Sequence, residues 1–255
     1  MTDLPADRPD DLNAAIMELV RRHRGASGVG MELLSALGSQ ASNLLDRIPD
    51  AVKGQLEGTT RAALEVSFNA ASVSRKGVPD GADWLNTALT TAMGAAGGFG
   101  GLPSALAEIP VTTTVLMRSI QGIAEEYGFD PDDPQVRMRC LEVFAAAGPL
   151  QDDERADAGF LSMRIAVSGP GLKAIIGQVT PVFAQVLGRK IAAQAVPVLG
   201  AVAGAATNYV YTSYYQDMAR VQFGLEALAR DRGLDHAALV KDFVAMLKEQ
   251  RSLKS

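Results

Sequence analysis

Apolar residues recur along most of this chain at intervals of three and four, the period of a helix with one buried face. Leu12, Ile16, Leu19 and Val20 set the first stripe. Asp10 or Asp11 stands where an N-cap belongs, and Arg21-Arg22-His23-Arg24 followed by Gly25 suits a C-terminus. Ser27 can cap a second helix through Met31, Leu34, Leu37, Leu44 and Leu45, which Pro49 ends. A third is predicted over about residues 51–73, with Leu56, Ala63, Val66 and Ala70 as its apolar positions. Gly77-Val78-Pro79-Asp80-Gly81 reads as a turn. Further on, Asp133-Pro134 is an N-cap and first-turn pair, opening a helix with Val136, Cys140, Val143 and Phe144 that Gly148-Pro149 ends. Gly169-Pro170-Gly171 breaks two apolar helical stretches. Met218, Val221, Leu225 and Leu228 form another stripe that Gly233 stops. Asp235 then caps a last helix burying Leu239, Phe243, Met246 and Leu247. Strand-type alternation and repeats of 20–50 residues are absent. The pattern predicts an all-α, multi-helix globular bundle with no sheet.

Two regions depart from this amphipathic pattern. Residues 85–107 and 191–216 carry no charged side chain. Both reach the roughly 20 residues that a membrane helix needs, yet both are rich in Gly, Ala, Thr and Ser and contain Pro. Gly98, Phe99, Gly100 and Gly101 lie in a glycine cluster suited to close helix packing or to a membrane-inserted hairpin. Gly200 and Gly204 form a small-xxx-small pair in the second run. Tyr209, Tyr211, Tyr214 and Tyr215 crowd the end of the second run, as interfacial tyrosines do. Buried core helices, shallow insertion and true spanning are all compatible with these runs.

Glu108 and Arg118 are the first charges after residues 85–107. Pro110 suits a helix start, which puts Glu108 just before an N-terminus, where a negative charge is favoured. Thr112, Thr113 and Thr114 can bond back to the backbone in that first turn. A charge in so apolar a stretch is expected to be paired or functional. An ion pair fixing the corner is one expectation and catalysis another. Glu142 can pair with Arg139 three residues back. Glu108, Arg118, Glu142 and Asp217 are the residues expected to organise a polar cluster inside an apolar interior.

The run Gly98-Phe99-Gly100-Gly101-Leu102-Pro103, then Glu108-Ile109-Pro110-Val111-Thr112-Thr113-Thr114 and Met117-Arg118-Ser119-Ile120, resembles the EcsC family of bacterial proteins. Asp133-Pro134 through Arg137 with Cys140-Leu141-Glu142-Val143-Phe144, and Ala195-Val196-Pro197-Val198-Leu199-Gly200-Ala201 with Gly204, Asn208, residues 215–220 and Phe223, are similar to the same family. The likeness covers about residues 85–225. It implies a helical bacterial protein associated by name with an ABC-transporter operon, and it implies no established activity.

Residues 1–9, acidic and Pro-rich, are expected as a disordered lead without a secretory signal. Residues 10–80 form an amphipathic helical region and 81–255 an EcsC-like core, unless 10–255 is one continuous domain. The net charge of −5 argues against a nucleic-acid partner. One cysteine allows neither an internal disulfide nor a Cys-pair zinc motif, and suits the cytoplasm. His23 and His236 are the only histidines, and neither HExxH nor G-x-S-x-G occurs. No metal or cofactor is expected. Three functions remain: a non-enzymatic protein at the inner membrane face with a lipid or membrane-protein partner, a soluble binder of lipid or another apolar ligand, and a hydrolase using Glu108 or Glu142.

Overall fold

The computed structural model describes residues 9–38, 50–77, 101–145, 171–194 and 200–252. They form seven α-helices: α1 (Pro9–Gly38), α2 (Asp50–Gly77), α3 (Gly101–Glu126), α4 (Pro134–Glu142), α5 (Leu172–Gln194), α6 (Gly200–Arg232) and α7 (His236–Ser252). A short 3₁₀ turn, Val143–Ala145, follows α4. There is no strand among the described residues. The all-α expectation holds.

Helix α6 is the axis of the bundle. It packs against α1, α3, α5 and α7, while α2 lies on α3 and α5. The contacts fix the helix directions. Asn208 meets Glu108, Gln216 meets Ser119 and Arg220 meets Glu126, so α3 and α6 run parallel. Tyr211 reaches the carbonyl of Val186 and Tyr215 packs on Phe183, so α5 is antiparallel to α6. Arg22 pairs with Asp217 while Leu19 sits against Gly224, so α1 is also antiparallel. At Gly224 an added Cβ would come within 2.8 Å of Leu19 Cδ2. A side chain at 224 would have to displace the Leu19 side chain, which is packed in the core, from this α1–α6 contact.

Local signals set several helix ends as expected. Asp133 Oδ1 accepts from the backbone N–H groups of Gln135 and Val136. Asp235 does the same for Ala238. Gly128 (φ +78°) and Gly233 (φ +62°) take the left-handed conformation that closes α3 and α6. Arg230 adds to the first of these closures. It donates to the carbonyls of Tyr127 and Gly128 and lies over the Phe129 ring.

Elsewhere packing overrides the local signals. Gly25 does not stop α1, which continues to Gly38. Its neighbours His23 and Ala26 are buried, His23 against the Phe243 ring, and this contact outweighs the roughly 1 kcal/mol that glycine costs. Pro110 does not start α3 but lies inside it. Thr113 and Thr114 bond to the carbonyls of Ile109 and Pro110, and Leu116, Met117 and Ile120 anchor the helix in the core. In α2 the buried face is Leu56, Ala63, Leu64, Phe68 and Ala71, not the face of Val66, which is 55% exposed. The run 191–216 is not one helix: α5 ends at Gln194 and α6 begins at Gly200. Among the described residues no helix is long and apolar enough to cross a membrane.

Candidate functional site

A line of buried polar residues follows one face of α6. Asn208, Thr212, Tyr215, Ala219, Gln222 and Glu226 recur in alternate steps of four and three, which keeps them in a single line along a helix. Asn208, Thr212, Gln222 and Glu226 are all buried. At the N-terminal end, Asn208 Nδ2 donates to Glu108 Oε1 at 2.9 Å, and the Thr112 hydroxyl donates to the same oxygen at 3.2 Å. Midway, beside the line, Gln216 donates to the Ser119 hydroxyl at 2.9 Å. At the far end Gln222 donates to the carbonyl of Arg139, with Glu142 at 3.5 Å, and Arg139 pairs with Glu226. A buried polar line of this kind fixes helix register, because a slipped helix would strand each group in the core.

The four expected cluster members are all on helices, but their contacts place them in separate neighbourhoods. Glu108 faces α6. Arg118 is ten residues further along α3, about 15 Å by helix rise, and donates to the Ser74 hydroxyl on α2 at 2.6 Å. An ion pair between the two is therefore excluded. Glu142 does not take Arg139, which is held by Glu226 across from α4. Asp217 pairs with Arg22 at 3.1 Å, outside the polar line. Local spacing suggested two pairings, Glu108 with Arg118 and Glu142 with Arg139, whereas the observed contacts join segments far apart in the chain.

Helix α3 carries a second polar face, toward α2. Gln121 donates to the Phe68 carbonyl and the Ser72 hydroxyl, and Glu125 pairs with Arg75. An open cavity of about 260 Å³ lies there, lined by Ser72, Arg75, Lys76, Glu125, Asp130, Pro131 and Asp132. Arg75 pairs with Glu125 and Lys76 lies 3.6 Å from Asp132, while Asp130 adds a third carboxylate and makes the lining net acidic. No group of three or more metal-ligating side chains occurs among the described residues. Cys140 is buried, and burial together with the Glu226 carboxylate pushes its thiol far above the ordinary range. It is a packing residue, not a nucleophile.

Of the close-packing candidates, Gly101 is the first residue of α3 and Gly200 the first of α6, with Gly204 one turn on. Gly98, Phe99 and Gly100 lie outside the described residues. Tyr209 is 51% exposed, but Tyr211, Tyr214 and Tyr215 are buried, so three of the four tyrosines belong to the core. The sequence reading missed Ser119, Gln216, Gln222 and Glu226 as partners. The usable signal was the recurrence of Asn208, Thr212, Gln222 and Glu226 on one line along α6.

The EcsC protein family matches residues 78–225. The chain belongs to this family. The matched range holds α3, α4, α5 and most of α6, and so contains the Glu108–Asn208 contact. It leaves out α1, α2 and α7, which supply Arg22, Ser74 and Arg75. The EcsC chain is also similar to the uncharacterised protein YdbA of Bacillus subtilis (strain 168), at 28% identity over 170 residues. That alignment covers 64% of this chain and 58% of YdbA, so the chain spans little more than half of that relative's length. No solved structure matches.

Proposed function

We propose that this member of the EcsC family acts without catalysis at the cytoplasmic face of the membrane, as an accessory of a transporter or another membrane process. It docks through the pole where α3 and α6 begin. The Asn208–Glu108 contact between parallel helices carries this reading. It sets the described ends of both uncharged runs side by side, and antiparallel α5 brings its own uncharged C-terminal turn to the same end. Val111 and Tyr209, 49% and 51% exposed, lie beside that contact. The ion pairs Arg220–Glu126, Arg139–Glu226 and Arg75–Glu125 lie toward the opposite end. The start of α3 and the first turns of α6, residues 101–117 and 200–216, carry Glu108 as their one charge, while Arg189 and Lys190 of α5 lie level with Asn208. A body this poor in charge at one pole is suited to one orientation at a bilayer interface, held by buried apolar area.

Flotation with zwitterionic vesicles in about 0.5 M salt, where the Debye length is only a few Å, isolates the apolar contribution. The wild-type protein is expected to float. Tyr209→Glu combined with Val111→Glu is expected to leave it at the bottom of the gradient with its helical circular dichroism unchanged, since both side chains are exposed. Wild-type protein that stays at the bottom would contradict the proposal.

A further inference from the structure

The basic stretch 21–24 of α1 does not stand alone. Arg24 Nη1 donates to the carbonyl and to the side-chain oxygen of Gln250, both at 3.2 Å. The contact joins segments 226 positions apart and places the last turns of α7 against the basic stretch midway along α1. Arg24 thereby neutralises the negative end of the α7 dipole. Arg21 is largely exposed and pairs with Glu18, itself exposed, and Lys248 and Glu249 are exposed on α7. Arg251 is also in the last turn of α7. On a chain of net charge −5, this shoulder is a local concentration of positive charge assembled from two distant segments.

Its position gives it a use. Arg22 pairs with Asp217, the first charge after the uncharged run on α6. The shoulder therefore lies where the charge-free part of α6 ends, about 25 Å by helix rise from the start of that helix. From Gly25 to Gly38 the rest of α1 carries Glu32 as its sole charge and runs from the shoulder toward the pole. A surface touching both features would lie along α1. We infer that the shoulder of Arg21, Arg24 and Lys248 binds anionic lipid headgroups, so that the protein lies tilted on α1 with the pole in the interface. This rests on the docking pole proposed above. A lipid surface fits better than a nucleic acid, because the basic groups adjoin the charge-free stretch of α6 while the molecule as a whole is acidic.

The test is vesicle binding by the full chain at low salt, comparing phosphatidylcholine alone with phosphatidylcholine containing phosphatidylglycerol. The wild-type protein is expected to favour the anionic vesicles by about tenfold or more, and to lose that preference in high salt. Arg21→Glu with Lys248→Glu, both at exposed sites, is expected to abolish the preference while leaving binding to neutral vesicles unchanged. The milder pair Arg21→Gln and Lys248→Gln should give an intermediate preference. A wild-type protein indifferent to lipid charge would overturn the inference, as would a preference that survives both charge reversals. Preferential binding of a short DNA duplex over anionic vesicles would overturn it too. Loss of neutral-vesicle binding alone, with the salt-sensitive anionic preference intact, would remove the pole and keep the shoulder.

Discussion

Phe183→Ala is expected to destabilise the protein by about 4 kcal/mol, the usual cost of deleting a fully buried aromatic ring. Phe183 on α5 is completely buried, with its ring centroid 4.6 Å from that of Phe144 and 5.7 Å from that of Tyr215. These three rings join α5, α6 and the 3₁₀ turn after α4. The lost ring removes apolar burial, ring–ring contacts and the support of two neighbours at once. For a chain of this size the melting temperature should fall by roughly 10 °C. Phe183→Leu, which keeps most of the volume, should cost less than half as much. Calorimetry on the two variants checks both values. A fall below about 2 °C for the alanine variant would mean that α5 does not pack on α6 through these rings.

Asn208→Leu should cost about 2–3 kcal/mol for a different reason. Asn208 gives a hydrogen bond to a carboxylate that is only 8% exposed, and leucine supplies none. Removing one partner of a buried polar contact is worse than removing both. Glu108→Met should therefore be milder in the presence of Asn208→Leu than alone, so the double variant is more stable than the sum of the singles predicts. Chemical denaturation of the four proteins gives the coupling, expected at about 1–2 kcal/mol. Simple additivity would show that the two side chains act independently and that α3 and α6 are held in register by other contacts.

The parts of the fold that were legible in the sequence are those decided within one turn of helix. Asp133 and Asp235 cap because their carboxylates reach N–H groups two or three residues ahead. Leu239, Phe243 and Leu247 are buried because their spacing leaves them no other face. Whether a helix survives a proline or a glycine is decided elsewhere in the molecule. Pro110 lies inside α3 because the residues after it are anchored against α2 and α6, and Gly25 lies inside α1 because His23 and Ala26 are buried beside it. The polar pairings were hidden for the same reason. Glu108 meets a residue 100 positions away and Asp217 one 195 positions away. Spacing along the chain pointed instead to near neighbours, Arg118 for Glu108 and Arg139 for Glu142, and neither pairing forms. What the sequence did mark was the absence of charge over 85–107 and 191–216. Parallel packing of α3 and α6 then turns those two linear features into one end of a molecule.

That end is the central claim, and its contact with lipid can be measured directly. The native thiol of Cys140 is buried and will not compete for a label, so a fluorophore can be attached at Tyr209→Cys or, as the distal control, at Leu234→Cys just beyond the other end of α6. Vesicles carrying brominated acyl chains should quench the label at 209 strongly and leave the label at 234 unaffected. Equal quenching at both positions, or quenching at 234 alone, would contradict docking through the charge-poor pole.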